Sequence, residues 1–372
     1  MNASTSEPNQ VSAMKTKLVL LLVLLPFLCF GQSKEEIANQ KLMAFVEQKN
    51  IPGLSVSIAQ QGELVFSKGY GFADVEKQIP VDPSKTKFRI GSVSKTLTAA
   101  ALGRLYDQGK IDLDVPIGQY IPVWPTKSHE VTLRQLAGHL GGIRHYKSGE
   151  FYSKTKYEKV TDGLGIFIND PLINEPGTEY SYSSYGWNLI SVAMENAAAP
   201  EASFLSDIDF LELMRQEVFE PLKMENTVAD HADRDIKNRT SFYQMRNGQV
   251  VNAPYVDNSY KWAGGGFVGT TEDLCLFGQA HMGYAYLKPK TLKEWMKSQQ
   301  TSDGKDTNYG IGWRTFNRES GNTFYGHSGG SVGGITYFLI HIPTQTTLAI
   351  TANVDPLNYE GIQFELMELF IK

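Results

Sequence analysis

Phe88-Arg89-Ile90-Gly91-Ser92-Val93-Ser94-Lys95-Thr96-Leu97-Thr98-Ala99-Ala100 reads as a short strand, a glycine turn and the start of a helix. From Leu97 the apolar residues Leu97, Ala101, Leu102 and Leu105 recur at helical spacing on one face. Gly109 suits the left-handed position that ends such a helix. Ser92 and Lys95 are three apart at its start, so their side chains share a face. A helix N-terminus offers unpaired N–H groups and partial positive charge. A serine there has a place for a developing oxyanion, with a lysine beside it to manage its proton.

S-x-x-K alone is a weak motif. It occurs five times: Ser12/Lys15, Ser84/Lys87, Ser92/Lys95, Ser153/Lys156 and Ser302/Lys305. Ser12 precedes an apolar leader, Ser84 follows Asp82-Pro83 in a turn, and Ser153 and Ser302 sit in polar loops. Only Ser92 opens a long amphipathic helix able to hold two groups rigidly.

The chain has 372 residues, 41% of them hydrophobic, enough for a sizeable core in one interlocked domain or two lobes. The net charge of -5 and the lack of a basic block argue against nucleic acid. There is no internal repeat. Of the two cysteines, Cys29 lies in the leader and Cys275 on an apolar helical face, where it reads as a core thiol.

Residues 1–31 read as a leader. Met14, a candidate true start, opens a basic stretch, and Leu18 to Phe30 is an apolar run of 13 residues, right for a signal peptide and short for a membrane span. The expectation is a cleaved signal and a secreted or periplasmic protein, with an uncleaved anchor as the alternative. No other membrane segment is expected.

Lys34 to Asn50 reads as an amphipathic helix with Ile37, Leu42, Phe45 and Val46 inward, and Leu54 to Ala59 and Glu63 to Ser67 as a hairpin across Gln61-Gly62. The middle is mostly helix and loop. Thr132 caps a short helix over Leu133 to Leu136, residues 147–162 read as a mobile flap, and helices are expected at Asn188 to Asn196, 204–220 and Glu272 to His281. Gly264-Gly265-Gly266 reads as a turn. Strands are expected at Tyr309 to Thr315, Thr323 to His327, Ile335 to Ile342 and Thr347 to Ala352, and a helix at Glu360 to Ile371. Neither end can fold alone. The economical answer is an α+β fold: one antiparallel sheet built from both termini (about 32–95 and 300–372), with helices on it and a mainly helical lobe (about 96–299) inserted. A cleft between lobes is a common place for a site.

A lysine at its reference pKa of about 10.4 is protonated and cannot act as a base at neutral pH. Burial lowers that value, and a tyrosine of lowered pKa could relay the proton. Tyr180-Ser181-Tyr182-Ser183-Ser184-Tyr185 supplies candidates, and spacing alone does not choose among them. Gly326-His327-Ser328-Gly329-Gly330 can also be read as a G-x-S-x-G elbow with Ser328 as nucleophile. That elbow needs a following helix and then an acid before a histidine, whereas here the sequel is Gly-rich and β-branched and His341 precedes Asp355. A Gly-rich strand edge instead lets a substrate backbone approach and offers N–H groups. The seven histidines are scattered without metal-ligand spacing, so no metal or cofactor is expected. His139 and His145 read as structural hydrogen-bonders.

These elements in this order resemble the serine β-lactamase and penicillin-binding-protein superfamily, in its class C-like branch, and are closest to the mitochondrial β-lactamase-like serine proteases and their bacterial relatives. Ser92-Val93-Ser94-Lys95 matches S-x-x-K. Tyr182-Ser183-Ser184 matches the Y-x-N position, and so the resemblance selects Tyr182. His327-Ser328-Gly329 matches K-T-G in an H-x-G form. Gly142-Ile143-Arg144-His145-Tyr146 and Ser259-Tyr260-Lys261-Trp262-Ala263-Gly264-Gly265-Gly266-Phe267 extend the likeness over about residues 35–370.

The resemblance implies an acyl-enzyme serine hydrolase acting on ester or amide and peptide bonds of a small molecule or peptide, as in esterases, D-aminopeptidases and carboxypeptidases. Ser92, Lys95 and Tyr182 would be catalytic. The backbone N–H groups of Ser92 and Gly330 would form the oxyanion hole. Ser184, His327, Ser328 and Gly329 would bind substrate, with His327 orienting it or supporting Tyr182. Ser184 stands where the family usually has Asn, and His327 where true β-lactamases have a Lys that meets the substrate carboxylate; a neutral His attracts an anion far less. Both departures point away from efficient β-lactamase activity. The alternative expectation is a non-catalytic binding or scaffold protein of the same fold.

Overall fold

The hairpin expected near residue 60 is the seed of the main sheet. Gln61 and Gly62 both take positive φ, the turn that matches the twist of paired strands. In the computed structural model, which describes residues 1, 3–4, 32–198, 209–283 and 285–372, the described residues from Lys34 to Lys372 form one unit. The expected leader lies almost wholly outside the described residues. Among the described residues no helix is long and apolar enough to cross a membrane.

In chain order, α1 (Lys34–Lys49) leads into β1 (Gly53–Gln60), β2 (Glu63–Asp74) and the short β3 (Ile79–Pro80) and β4 (Phe88–Arg89). A 3-10 turn, Gly91–Val93, then runs into α2 (Ser94–Asp107). The middle holds α3 (Leu133–Ala137), α4 (Tyr185–Ala198), α5 (Phe210–Met214), β5 (Val228–Ala229), β6 (Tyr243–Arg246), β7 (Gln249–Asn252), α6 (Trp262–Gly265), β8 (Phe267–Gly269), α7 (Thr271–Ala280) and α8 (Pro289–Met296). The chain closes with β9 (Arg314–Asn317), β10 (Thr323–Ser331), β11 (Gly334–His341), β12 (Thr346–Ala352), β13 (Val354–Asp355) and α9 (Ile362–Ile371).

The main sheet has seven strands in the order β3-β2-β1-β12-β11-β10-β9. Its centre joins the two ends of the chain: β1 pairs antiparallel with β12, Val56 opposite Ile350. β1 is buried on both faces, not one. Leu54, Val56 and Ile58 pack in a cluster with Leu42 and Phe45 of α1 and Leu366 and Phe370 of α9. On the other face Ser55 and Ser57 share hydrogen bonds of 2.8 and 2.7 Å with the Thr271 hydroxyl of α7. Small hydroxyls let α7 lie close; a Cβ on its Gly278 would come within 2.5 Å of Thr347.

α2 is buried along nearly its whole length rather than on one stripe. Trp295 of α8 donates to the Ala99 carbonyl at 2.7 Å, and Thr98 donates to the Ala263 carbonyl at 2.9 Å. The helix ends as expected, with Gly109 at φ +72. Thr132 forms a full capping box with Gln135 at the start of α3.

Several expectations shift. Inward packing of α1 uses Ala38 with Leu42 and Phe45, while Ile37 and Val46 are only half-buried. Tyr309 to Thr315 is mostly loop. Gly310 is packed so tightly under α8 that a Cβ would sit 2.2 Å from the Trp295 carbonyl, and Gly312 has φ +77. The helix expected over 204–220 is α5 followed by a π-turn at Arg215–Phe219, and 204–208 lie outside the described residues. The 147–162 segment is tied down: Arg144 holds Glu150, the Tyr157 amide donates to Ser259 Oγ at 2.8 Å, and the Ser153 carbonyl accepts from the Asp257 amide.

Beneath the turn before Ser92 lies a buried ion-pair network. Arg89 Nε meets Asp230 at 2.6 Å, Arg239 reaches its other oxygen at 3.0 Å, and Asn258 adds a bond at 2.8 Å. Burial alone would raise the Asp230 pKa, but the two guanidinium groups hold it below the ordinary carboxylate value. Replacing Asp230 with Ala leaves Arg89 buried without its carboxylate, at a cost of about 3–5 kcal/mol. Urea unfolding of the variant measures this; a loss below about 1 kcal/mol would contradict the account.

Candidate active site

Ser92 sits in the 3-10 turn between β4 and α2, at the mouth of a cavity of about 310 Å³. The turn depends on Gly91, whose φ is +50 and where a Cβ would come within 2.6 Å of the Gly330 carbonyl. From the other side, a Cβ on Gly329 would fall 1.9 Å from the Ile90 carbonyl and 3.1 Å from the Ser92 amide nitrogen. Two backbones thus meet with no room for side chains. This brings Gly330 of β10 beside Ser92, and both line the cavity.

Lys95, one turn on from Ser92 at the start of α2, is fully buried. Its Nζ lies 3.1 Å from Ser92 Oγ, 3.1 Å from Ser184 Oγ and 2.6 Å from the Gly264 carbonyl. No carboxylate pairs with it among the described residues. Burial first, then Lys261 and Arg314, holds its pKa well below the ordinary 10.5. In the neutral form two N–H bonds serve the Gly264 carbonyl and Ser184 Oγ and the lone pair is left for the Ser92 hydroxyl, whereas in the protonated form the ammonium donates to all three.

Tyr182 donates from its OH to Ser92 Oγ at 2.7 Å. Its phenol is pushed up by burial, against the pull of that bond and of Arg314. The condition of a lowered phenol pKa is therefore not met: burial favours Tyr182 as a neutral donor, and Lys95 is the base-like group. Its ring is wedged against His139, with centroids 4.3 Å apart. His139 Nδ1 accepts from the Ser183 amide at 3.1 Å and His145 Nδ1 from the Ser184 amide at 3.2 Å. Both bonds require unprotonated Nδ1 atoms. Burial, with Lys95 nearby, pulls the His145 pKa down to about 4 and that of His139 well below its usual value. These histidines orient the Tyr182–Ser184 loop, in keeping with the structural role expected of them.

Ser92, Lys95, Tyr182, Ser184 and Gly330 converge. His327, Ser328 and Gly329 do not line the cavity. His327 is buried, its Nε2 bonded to Tyr309 OH at 2.9 Å and its Nδ1 to the Ser328 carbonyl at 2.6 Å. It braces β10, and its ring centroid lies 6.2 Å from that of Tyr182. Ser328 is half-buried, and Gly329 is spent on the contact with Ile90.

Sequence reasoning missed four contributors. The Gly264 carbonyl binds Lys95, although the triple glycine reads only as a turn; its place in α6 just ahead of β8 was the available clue. His145 lines the cavity. Arg314 lies over the Tyr182 ring at 5.5 Å and has no carboxylate partner among the described residues. Lys261 lines the same cavity and is almost completely buried. Among the described residues no cluster of three His, Cys, Asp or Glu is placed to hold a metal ion. Cys275 is free and buried, with its thiol pushed up by desolvation, as suits a core residue.

A family model described as Beta-lactamase matches residues 38–367. The human serine beta-lactamase-like protein LACTB, mitochondrial, is 30% identical over an alignment that covers 88% of this chain and 75% of that protein. Among solved structures, the D-amino acid amidase from Ochrobactrum anthropi in complex with D-phenylalanine superposes with a TM-score of 0.78 at 20% identity, covering 91% of this chain and 99% of that one. The octameric penicillin-binding protein homologue from Pyrococcus abyssi gives 0.77 at 20% identity, covering 90% and 77%.

Because Lys95 has a lowered folded pKa, the unfolded state binds its proton first as pH falls. Its contribution to stability is therefore present above the unfolded value near 10.5 and is lost as pH drops toward the folded one. Titration of the Lys95 amine by NMR should give an apparent pKa well below 10.5. A value at the ordinary lysine position would refute the neutral-amine reading.

Proposed function

Given that the chain belongs to the β-lactamase family, we propose that it is a serine hydrolase that cleaves ester or amide bonds through an acyl-enzyme on Ser92. The observation that carries this reading is the convergence of two groups on Ser92 Oγ, the buried Lys95 amine at 3.1 Å and the Tyr182 hydroxyl at 2.7 Å.

Lys95 takes the Ser92 proton as Oγ attacks the substrate carbonyl carbon. The carbonyl oxygen becomes an oxyanion at the junction of the Ser92 turn and β10, where the amides of Ser92 and Gly330 are its donors. Lys95 then returns the proton to the leaving group, directly or through the phenol of Tyr182. A water molecule, deprotonated by the same amine, attacks the acyl-enzyme and frees Ser92. Ser184 holds the Lys95 amine, a task an amide side chain would share with substrate binding. His327 carries no reachable cation for a substrate carboxylate, so β-lactam turnover should be weak or absent beside ester and amide hydrolysis.

A fluorophosphonate probe should label the wild-type protein on Ser92, and Ser92→Ala should abolish both labelling and hydrolysis of p-nitrophenyl esters. Undiminished labelling of Ser92→Ala, or no turnover by the wild type, would sink the assignment in favour of a binding or scaffold role. Tyr182→Phe should keep the fold and lower kcat on the order of 100-fold, the usual size of a lost proton-transfer partner.

A further inference from the structure

We infer that Lys261 is the substrate's anion-binding group, so that the cavity selects an ester or amide with an apolar body and one carboxylate. This rests on the reading of Ser92 as the nucleophile and names the class of molecule it attacks.

Lys261 is only 2% exposed, yet it lines the cavity that holds Ser92. Its Cδ lies 3.8 Å from where a Cβ on Gly265 would sit, and Gly265 packs on Gly91, the residue before Ser92. The side chain thus runs alongside the nucleophile turn. Its ammonium is caged by aromatic rings, 4.5 Å from the centroid of Phe151, 5.3 Å from Tyr260 and 5.7 Å from Tyr146. Ring faces favour a cation but leave its N–H donors without an acceptor. Among the described residues Lys261 forms no salt bridge and its Nζ no hydrogen bond. The acid that acts on it electrostatically, Asp230, is already held by Arg89, Arg239 and Asn258.

An ammonium that faces a cavity has only the water there as acceptor, and a bound carboxylate would supply a stronger, charge-assisted one. Desolvation, reinforced by Arg89, draws its pKa down to about 7, and a bound carboxylate would keep the proton on. Asp355 also lines the cavity; its carboxylate accepts from the Gly333 amide and from Gln244, and burial raises its pKa, which weakens its opposition to a bound anion. Phe151, Tyr146, Ile335 and Pro356 give the cavity apolar walls. In the K-T-G arrangement the cation stands on the strand beside the nucleophile; here His327 fills that place and is buried. Lys261 supplies positive charge from the opposite, helical side.

Two substrate pairs test this, one with the carboxylate on the acyl side and one with it on the leaving group: mono-p-nitrophenyl adipate against p-nitrophenyl hexanoate, and 3-carboxyphenyl acetate against phenyl acetate. In at least one pair the wild type should favour the anion, through KM, by roughly tenfold or more, the scale of a charge-assisted contact. Lys261→Met should remove that preference with little change in KM for the neutral partner, and Lys261→Arg should retain most of it. Lys261 also helps keep Lys95 neutral, so a fall in kcat shared by both members of a pair reports on Lys95 and not on recognition. A thermal melt shows whether Lys261→Met folds; if it does not, Lys261→Gln replaces it. Calorimetric binding of the adipate half-ester to Ser92→Ala, and its loss in Ser92→Ala/Lys261→Met, tests recognition without turnover. No preference in either wild-type pair, or a preference unchanged in Lys261→Met, would overturn the inference while leaving the Ser92 assignment intact. A wild type that fails to label or turn over, yet binds the half-ester through Lys261, would sink the hydrolase reading alone.

Discussion

A lysine sealed in the interior with no carboxylate beside it cannot keep its proton cheaply, and this constraint organises the rest of the molecule. Burial favours the neutral amine of Lys95, and three oxygens surround it: a carbonyl at Gly264, a hydroxyl at Ser184, a hydroxyl at Ser92. Helix α2 is buried nearly all round by the core that takes up Leu97, Leu102 and Leu105, and that burial keeps water from the amine. The cations near it, Lys261 and Arg314, push in the same direction as burial. Desolvation and charge therefore act together on one group, the arrangement expected where a base must work near neutral pH.

The second constraint is steric. Gly91 and Gly329 bring two strands of backbone into contact at the point where a carbonyl oxygen would gain charge. His327 and Tyr309, bonded to each other in the interior, hold β10 at that distance. The aromatic packing of His139 on Tyr182 does the same for the phenol. Preorganisation of this kind is what allows modest dipoles to stabilise an oxyanion.

Much of this could be read from the residues. The Ser92 helix start follows from apolar spacing and a terminal glycine, and the joint sheet follows from two ends that each lack a core. What escaped reading were contacts between segments distant in sequence. Lys261 looks like any lysine ahead of a tryptophan, and only the fold shows it caged by Phe151 and Tyr146, over a hundred residues earlier. The alternation from Tyr309 to Thr315 resembles a strand because period-two patterning does not reveal that Gly310 must slide beneath Trp295. Tyr182 could be singled out only through resemblance, since the fixed orientation of its ring comes from His139 and His145. The direction of its titration was not legible either, because burial outweighs the cation near it.

The pairing of β1 with β12 has a temporal side. The strand that carries Gly330 belongs to a sheet whose centre pairs β1 with β12, so a ribosome must release most of the polypeptide before Ser92 meets Gly330 in the finished sheet. Any prematurely stopped product would carry the serine and lysine on a helix open to water, where the amine regains its proton. Reactivity is in this way withheld until synthesis is complete.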